Sequence, residues 1–228
     1  MISFDLTNVT AGLIGIIFPI YILLTYEKVK NNIIQDHKHR LLDYKKTLLI
    51  FWTLTFLILI NHLTDNSLSL SFSPKHSWTN IGLTFLVLGF AYFQYTTLKV
   101  SGNNAFYVKR KLNDIYYYLP KTKKELKWFL LLSVSAGVCE EIMYRLFLFE
   151  YLNLHIHLIF AFLLSNLFFA MTHIGSGKAN LISSLFLGLM FSVIYYLTDN
   201  IWISVILHTA IDINIGILGY RLSKVIKP

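Results

Sequence analysis

A single cysteine, Cys139, occurs among the 228 residues, so no disulfide can close within this sequence and no CxxC redox pair or cysteine-based zinc finger can be built from it. Charge is scarce too. Asp, Glu, Lys and Arg make up 14% of the residues, against about 25% in a soluble domain, which argues against an ordinary water-facing surface. Familiar catalytic signatures are missing: there is no HExxH of a zinc protease helix and no GxSxG nucleophile elbow. "GSGKAN" at 175–180 lacks the upstream glycine of GxxxxGK[ST] and has Ala179 where a hydroxyl is needed, so it reads as a turn ending a helix. An aspartyl intramembrane protease needs two aspartates inside its spans, and Asp212 alone is clearly there. No internal repeat, low-complexity tract or soluble linker divides the chain.

What is present is apolar. The composition is 55% hydrophobic and 16% aromatic, with a mean hydropathy of +0.57. Seven segments are long enough to approach or span a bilayer as helices, near 7–26, 47–64, 78–98, 128–149, 157–174, 180–197 and 201–219. The expected fold class is an all-α, polytopic membrane helical bundle of about seven transmembrane helices. The first segment lacks a basic leader and a small-residue cleavage site, and is expected to be a retained helix. Pro19 within it is tolerable where neighbouring helices satisfy the freed carbonyl.

The basic residues orient this bundle. Lys28, Lys30, Lys38, Arg40, Lys45 and Lys46 fall in the connection 27–46, and Lys99, Lys109, Arg110, Lys111, Lys121, Lys123, Lys124 and Lys127 in the connection 99–127. Lys178 follows the fifth segment, and Arg221, Lys224 and Lys227 follow the seventh. Seven crossings put all four regions on one side, the cytoplasmic one by the positive-inside rule, while the opposite connections hold Lys75 alone. The expected topology is N-terminus out and C-terminus in. The net charge of +8 is thereby explained by topology and anionic lipid headgroups, and no nucleic-acid partner is expected. "NDIYYYLP" within 99–127 suits either an amphipathic interfacial segment or a plain solvated loop.

Ionisable groups inside spans are costly and mark functional sites by default. Here they are Glu140, Glu141 and Arg145 in the fourth segment, His173 near the end of the fifth, and His208 and Asp212 in the seventh. Glu141 and Arg145 are four apart, on one helical face, in the favourable order for an ion pair. Glu140 points about 100° away and needs a partner from another helix. His208 and Asp212 are also four apart, so the carboxylate can reach one imidazole nitrogen and fix the tautomer. Phe169 shares a face with His173 and can wall the apolar side of a site. Packing alone can account for the Glu141–Arg145 pair, less readily for Glu140, His173 and His208 together. Cys139 reads as a small core residue, and His62, His155 and His157 as interfacial, the last two a weak metal signal. These boundaries place Glu140 about 18 Å into its helix and His173 at the cytoplasmic end of its own, so a shared site requires one of them to be displaced.

In order, "EEIMYR" at 140–145, "FAMTH" at 169–173 and "HTAID" at 208–212 match EExxxR, FxxxH and HxxxN/D. Over about 127–220 the chain resembles the CPBP family, which contains the CAAX prenyl proteases and the bacterial Abi and bacteriocin-processing proteins. Asp212 stands where asparagine is frequent, and a carboxylate cannot donate a hydrogen bond unless protonated. The resemblance implies an intramembrane endopeptidase acting on a membrane-associated peptide or protein. In that reading Glu140 is the general base that activates water, His173 positions the water, and His208 donates to the oxyanion. Asp212 holds the His208 ring, and Glu141, Arg145 and Phe169 support the site.

Two alternatives stay open. The same residues admit metal chemistry, with Glu140, His173 and His208 as three zinc ligands and one position left for water; the favoured reading has no cofactor, because the ligands lack a compact local motif. A non-enzymatic immunity or scaffolding protein of the same fold is the second. The expected organisation is 1–126, N-terminal transmembrane helices and basic cytoplasmic loops; 127–220, the catalytic helical core; and 221–228, a basic cytoplasmic tail. The expected location is the cell membrane, multi-pass, with the lipid bilayer and a membrane peptide as partners.

Overall fold

A computed structural model describes residues 5–64, 68, 70–73, 77–97 and 99–226. The described residues are helical, with no strand among them. We number the helices α1 (Leu6–Gln35), α2 (Lys38–Thr64), α3 (Trp78–Thr97), α4 (Ala105–Lys111), α5 (123–155), α6 (Leu158–Met171), α7 (Lys178–Thr198) and α8 (Ile201–Val225). Apart from the short α4, each matches one expected apolar segment. Four of them, α1, α2, α7 and α8, are long and apolar enough to cross a membrane by length and composition, and α6 is apolar but shorter. The protein is a polytopic helical bundle.

Several boundaries differ from expectation, for physical reasons. The stretch 27–46 is not a loop: α1 runs to Gln35, α2 starts at Lys38, and Asp36 and His37 alone join them. Lysines and arginines extend a helix readily, so the basic residues occupy helix ends that outrun the apolar run. Likewise 221–225 continue α8 instead of forming a tail. Lys75 and Lys227 lie outside the described residues.

α5 is the axis of the bundle. Its start is a capping box, in which the Thr122 hydroxyl accepts from Glu125 N and the Glu125 side chain accepts from Thr122 N. Glu125 also takes Arg40 Nη1 of α2 at 2.7 Å, and Arg40 Nε donates to Tyr117 O at 2.8 Å. From that anchor α2 and α5 rise side by side in the same direction, through the edge-on Tyr44 and Phe129 rings and the Trp52 Nε1 to Ser135 Oγ bond. α8 packs antiparallel on α5. At Gly137 the approach is so close that any Cβ would run into the Thr209 hydroxyl.

The segment between α3 and α5 is partly docked. Phe106 of α4 is 77% exposed, while Leu119 is 2% exposed and Tyr118 packs edge-on against Tyr44 and Phe129. The segment is thus packed on the bundle at Tyr118 and Leu119 and open at α4. At its end Lys121 Nζ donates to Tyr116 O at 2.8 Å. Burial and the neighbouring Arg40 guanidinium pull the Lys121 ammonium down to about 7.

Candidate active site

The site begins where α5 changes pitch. Regular α-helix ends at Glu141, and Ile142–Phe149 form a π-helical stretch whose eight residues are all buried; such wide turns recur at functional sites. Glu141 and Arg145 pair at 2.9 Å with neither side chain exposed. The guanidinium lies 4.2 Å from the centroid of the Phe169 ring and 5.4 Å from that of Phe191. Its Nη2 is 3.4 Å from Asn166 Oδ1, which also accepts from Ser192 Oγ.

Glu141 serves a second partner. Its Oε1 is 2.8 Å from Nδ1 of His208. A carboxylate accepts, so Nδ1 carries the hydrogen in this bond. Nε2 of the same ring faces Glu140 Oε2 at 3.5 Å and Asp212 Oδ2 at 3.7 Å. The grip on the ring expected from Asp212 is made instead by Glu141, on the other nitrogen. The reason is the α5–α8 crossing at Gly137 and Thr209, which presses the last turn of regular α5 against His208. The ring is further fixed by Phe191, stacked at 5.3 Å, and by Phe169, edge-on at 6.0 Å.

His173 follows α6. Its Nδ1 is 3.2 Å from Phe169 O and 3.1 Å from Thr172 Oγ1, and its ring lies 4.9 Å from that of Phe169. The carbonyl can only accept, so Nδ1 bears the hydrogen there and Nε2 keeps its lone pair. At 14 residues, α6 is about 21 Å long, short of the roughly 30 Å hydrocarbon core. It therefore stops while the chain is still within the bundle. Glu140, Phe169, His173, His208 and Asp212 consequently line one cavity of about 400 Å³.

The cavity's other walls come from helices in which no motif was read. Phe18 and Ile22 of α1, with Ile50 and Phe51 of α2, face Phe129 and Leu132 of α5 across it. Sequence reasoning also missed Asn166, Phe191 and the close approach at Gly137. The small-residue run "SAG" at 135–137, less than one turn before the glutamates, was the available signal. Cys139 is fully buried.

Among the described residues no three His, Cys, Asp or Glu side chains converge as a metal-binding group. His208 directs Nδ1 to Glu141 and His173 directs Nδ1 to a backbone carbonyl, which leaves Nε2 of each ring as its cavity-side nitrogen, the pattern a metal-ligating imidazole also shows.

No curated protein and no solved structure matches the chain. A family model does: residues 122–214 match the type II CAAX prenyl endopeptidase, Rce1-like model. The match takes in the three motifs, and over this segment the chain is similar to that endopeptidase family.

Proposed function

We propose that the protein is an intramembrane endopeptidase of the cell membrane that hydrolyses a bond in a membrane-associated peptide or protein, with Glu140 as the general base. The observation that carries this reading is the convergence of buried Glu140 and His208 with half-buried Asp212, from two helices, onto a cavity also lined by His173. Retaining such groups without a task is costly. Six long helices and the shorter α6, with basic residues at one set of their ends, favour seven passes, N-terminus out and C-terminus in.

In the proposed reaction a water held between Glu140 and the Nε2 lone pair of His173 loses its proton to Glu140 as its oxygen attacks the scissile carbonyl. His208, held through Nδ1 by Glu141, donates from Nε2 to the tetrahedral oxyanion. The ring is then the imidazolium, balanced by the carboxylates around it. Glu140 returns the proton to the leaving amine, so no net proton is consumed. Asp212 contributes charge beside Nε2 and not the ring's orientation. No step is routed through a metal.

Purified protein in detergent with a panel of extended peptides tests this. Glu140→Gln is expected to abolish cleavage while the protein still enters the membrane. An unchanged phenotype and cleavage would instead favour a non-enzymatic immunity or scaffolding role. Stoichiometric metal, with activity lost to chelators and restored by zinc, would overturn the metal-free chemistry.

A further inference from the structure

The turn that carries His173 is gripped from outside the Rce1-like segment. After His173 the chain makes one 3₁₀ turn, Ile174–Ser176, and then Gly177, which precedes α7 with φ 89°. That φ lies in the left-handed region, which side-chain-bearing residues adopt at a cost. Two neighbours press on this turn from opposite parts of the sequence. A Cβ built on Gly175 would lie 2.8 Å from Tyr26 Cβ and 3.2 Å from its Cγ and Cδ2, all on α1. A Cβ on Gly177 would collide with the carboxylate of Asp114, which follows α4. Asp114 also places a negative charge at the start of α7, the favourable sign for the helix dipole.

The consequence concerns a lone pair. His173 is tied through Nδ1 to Phe169 O and Thr172 Oγ1, so movement of the turn changes where Nε2 points. We infer that Tyr26 and Asp114 are positioning residues for His173. They clamp Gly175 and Gly177 and so hold the Nε2 lone pair on the cavity that contains Glu140. This rests on the reading of His173 as the group that holds the attacking water. It makes α1 and the basic segment after α3, which lie outside the family match, parts of the catalytic apparatus.

A double-mutant cycle tests the clamp. Gly175→Ala sets a methyl group against the Tyr26 Cβ and is expected to lower kcat by about 10–100-fold, the scale of an ångström-sized misplacement, with KM little changed. Tyr26→Phe keeps the packing surface and loses a hydroxyl that bonds to Glu27, so it should retain most of the rate. Tyr26→Gly removes the obstructing Cβ. Combined with Gly175→Ala it should recover much of the kcat that the alanine removed. The second readout needs no catalysis: the imidazole ¹⁵N resonances of His173, assigned with His173→Gln, should leave the Nδ1–H pattern in Gly175→Ala and return to it in the double variant. Asp114→Ala should move both readouts in the same direction.

Losses that simply add in the double variant, or a Gly175→Ala protein with unaltered kcat and His173 resonances, would overturn the clamp. A general folding defect lowers the folded fraction without changing the resonances of what remains folded, and that result would overturn it too. A wild-type protein that cleaves no peptide would sink the peptidase reading alone, because the resonance coupling is still measured.

Discussion

Arg40 and Glu125 join α2 to the first turn of α5 at 2.7 Å, whereas Arg145 and Glu141 lie one turn apart within α5 at 2.9 Å. Both pairs are buried, yet they are finished differently. Glu125 accepts from Arg40 Nη1 and from the backbone N–H of Lys121 and Thr122, and Arg40 Nε has Tyr117 O. Around the second pair, Glu141 Oε1 is shared between Arg145 and His208, while Glu141 Oε2 and Arg145 Nε have no hydrogen-bond partner among the described residues. Buried ion pairs offset their desolvation when the remaining polar atoms are satisfied. The first pair meets that condition and acts as scaffold. The second falls short of it beside the cavity, as expected where a charge is kept for use and not for packing.

Arg40→Met should break the comparison on the scaffold side with the largest effect. It strands Glu125 in a buried position, at about 3–5 kcal/mol, and should lower the melting temperature in detergent by roughly 10 °C. The kcat of the protein that remains folded should stay near wild type; a rate loss larger than the loss of folded protein would show that the two pairs are not separable. Glu141→Gln tests the other side. It weakens the hold on His208 Nδ1 and is expected to cost about 10²–10³ in kcat, the usual scale for a displaced oxyanion donor. If the rate drops less than about tenfold, another group orients the ring.

The two pairs also differ in how much of them could be read from sequence. Glu141–Arg145 is local, four residues apart on one face, and legible. So were the seven apolar runs, because hydropathy needs no tertiary information. The Glu141–His208 bond spans 67 positions and depends on how closely α5 and α8 cross at Gly137, which no spacing rule supplies. Arg40 read as one more basic residue of a cytoplasmic loop, yet it is 2% exposed, because the helix continues beneath it and brings it to Glu125. The capping box Thr122-x-x-Glu125 that starts α5 was not read in the sequence, nor was the arginine that meets it. α6 ends at Met171, three residues before the expected 174, and the glycines of "GSGKAN" signalled the turn but not that it brings His173 to the Glu140 cavity.

Asp212→Asn should be milder than either change. Its Oδ2 is 3.7 Å from His208 Nε2, beyond hydrogen-bond reach, and asparagine keeps the shape while adding a donor, so kcat should change by less than about tenfold. A loss as large as that of Glu141→Gln would return the orienting role to Asp212.

The smallest effect belongs to the scaffold and is read in pH. Lys121 adjoins the Arg40–Glu125 pair, and its ammonium falls from an ordinary value of 10.5 to about 7 when folded. Between those values the unfolded chain holds a proton that the folded chain has released, so stability rises as pH climbs from about 7 towards 10.5. Below 7 both states are protonated and the full penalty applies. Lys121 is partly open to solvent, so screening reduces the penalty to about 1 kcal/mol, or roughly 2–4 °C in melting temperature. The wild-type protein should therefore gain up to that much as pH climbs from about 7 to 10.5 relative to Lys121→Met, with other groups titrating alike in both. Parallel melting curves across the window would mean that Lys121 keeps its proton in the folded state, and that the polar anchor of α5 carries a second, half-buried cation beside Arg40.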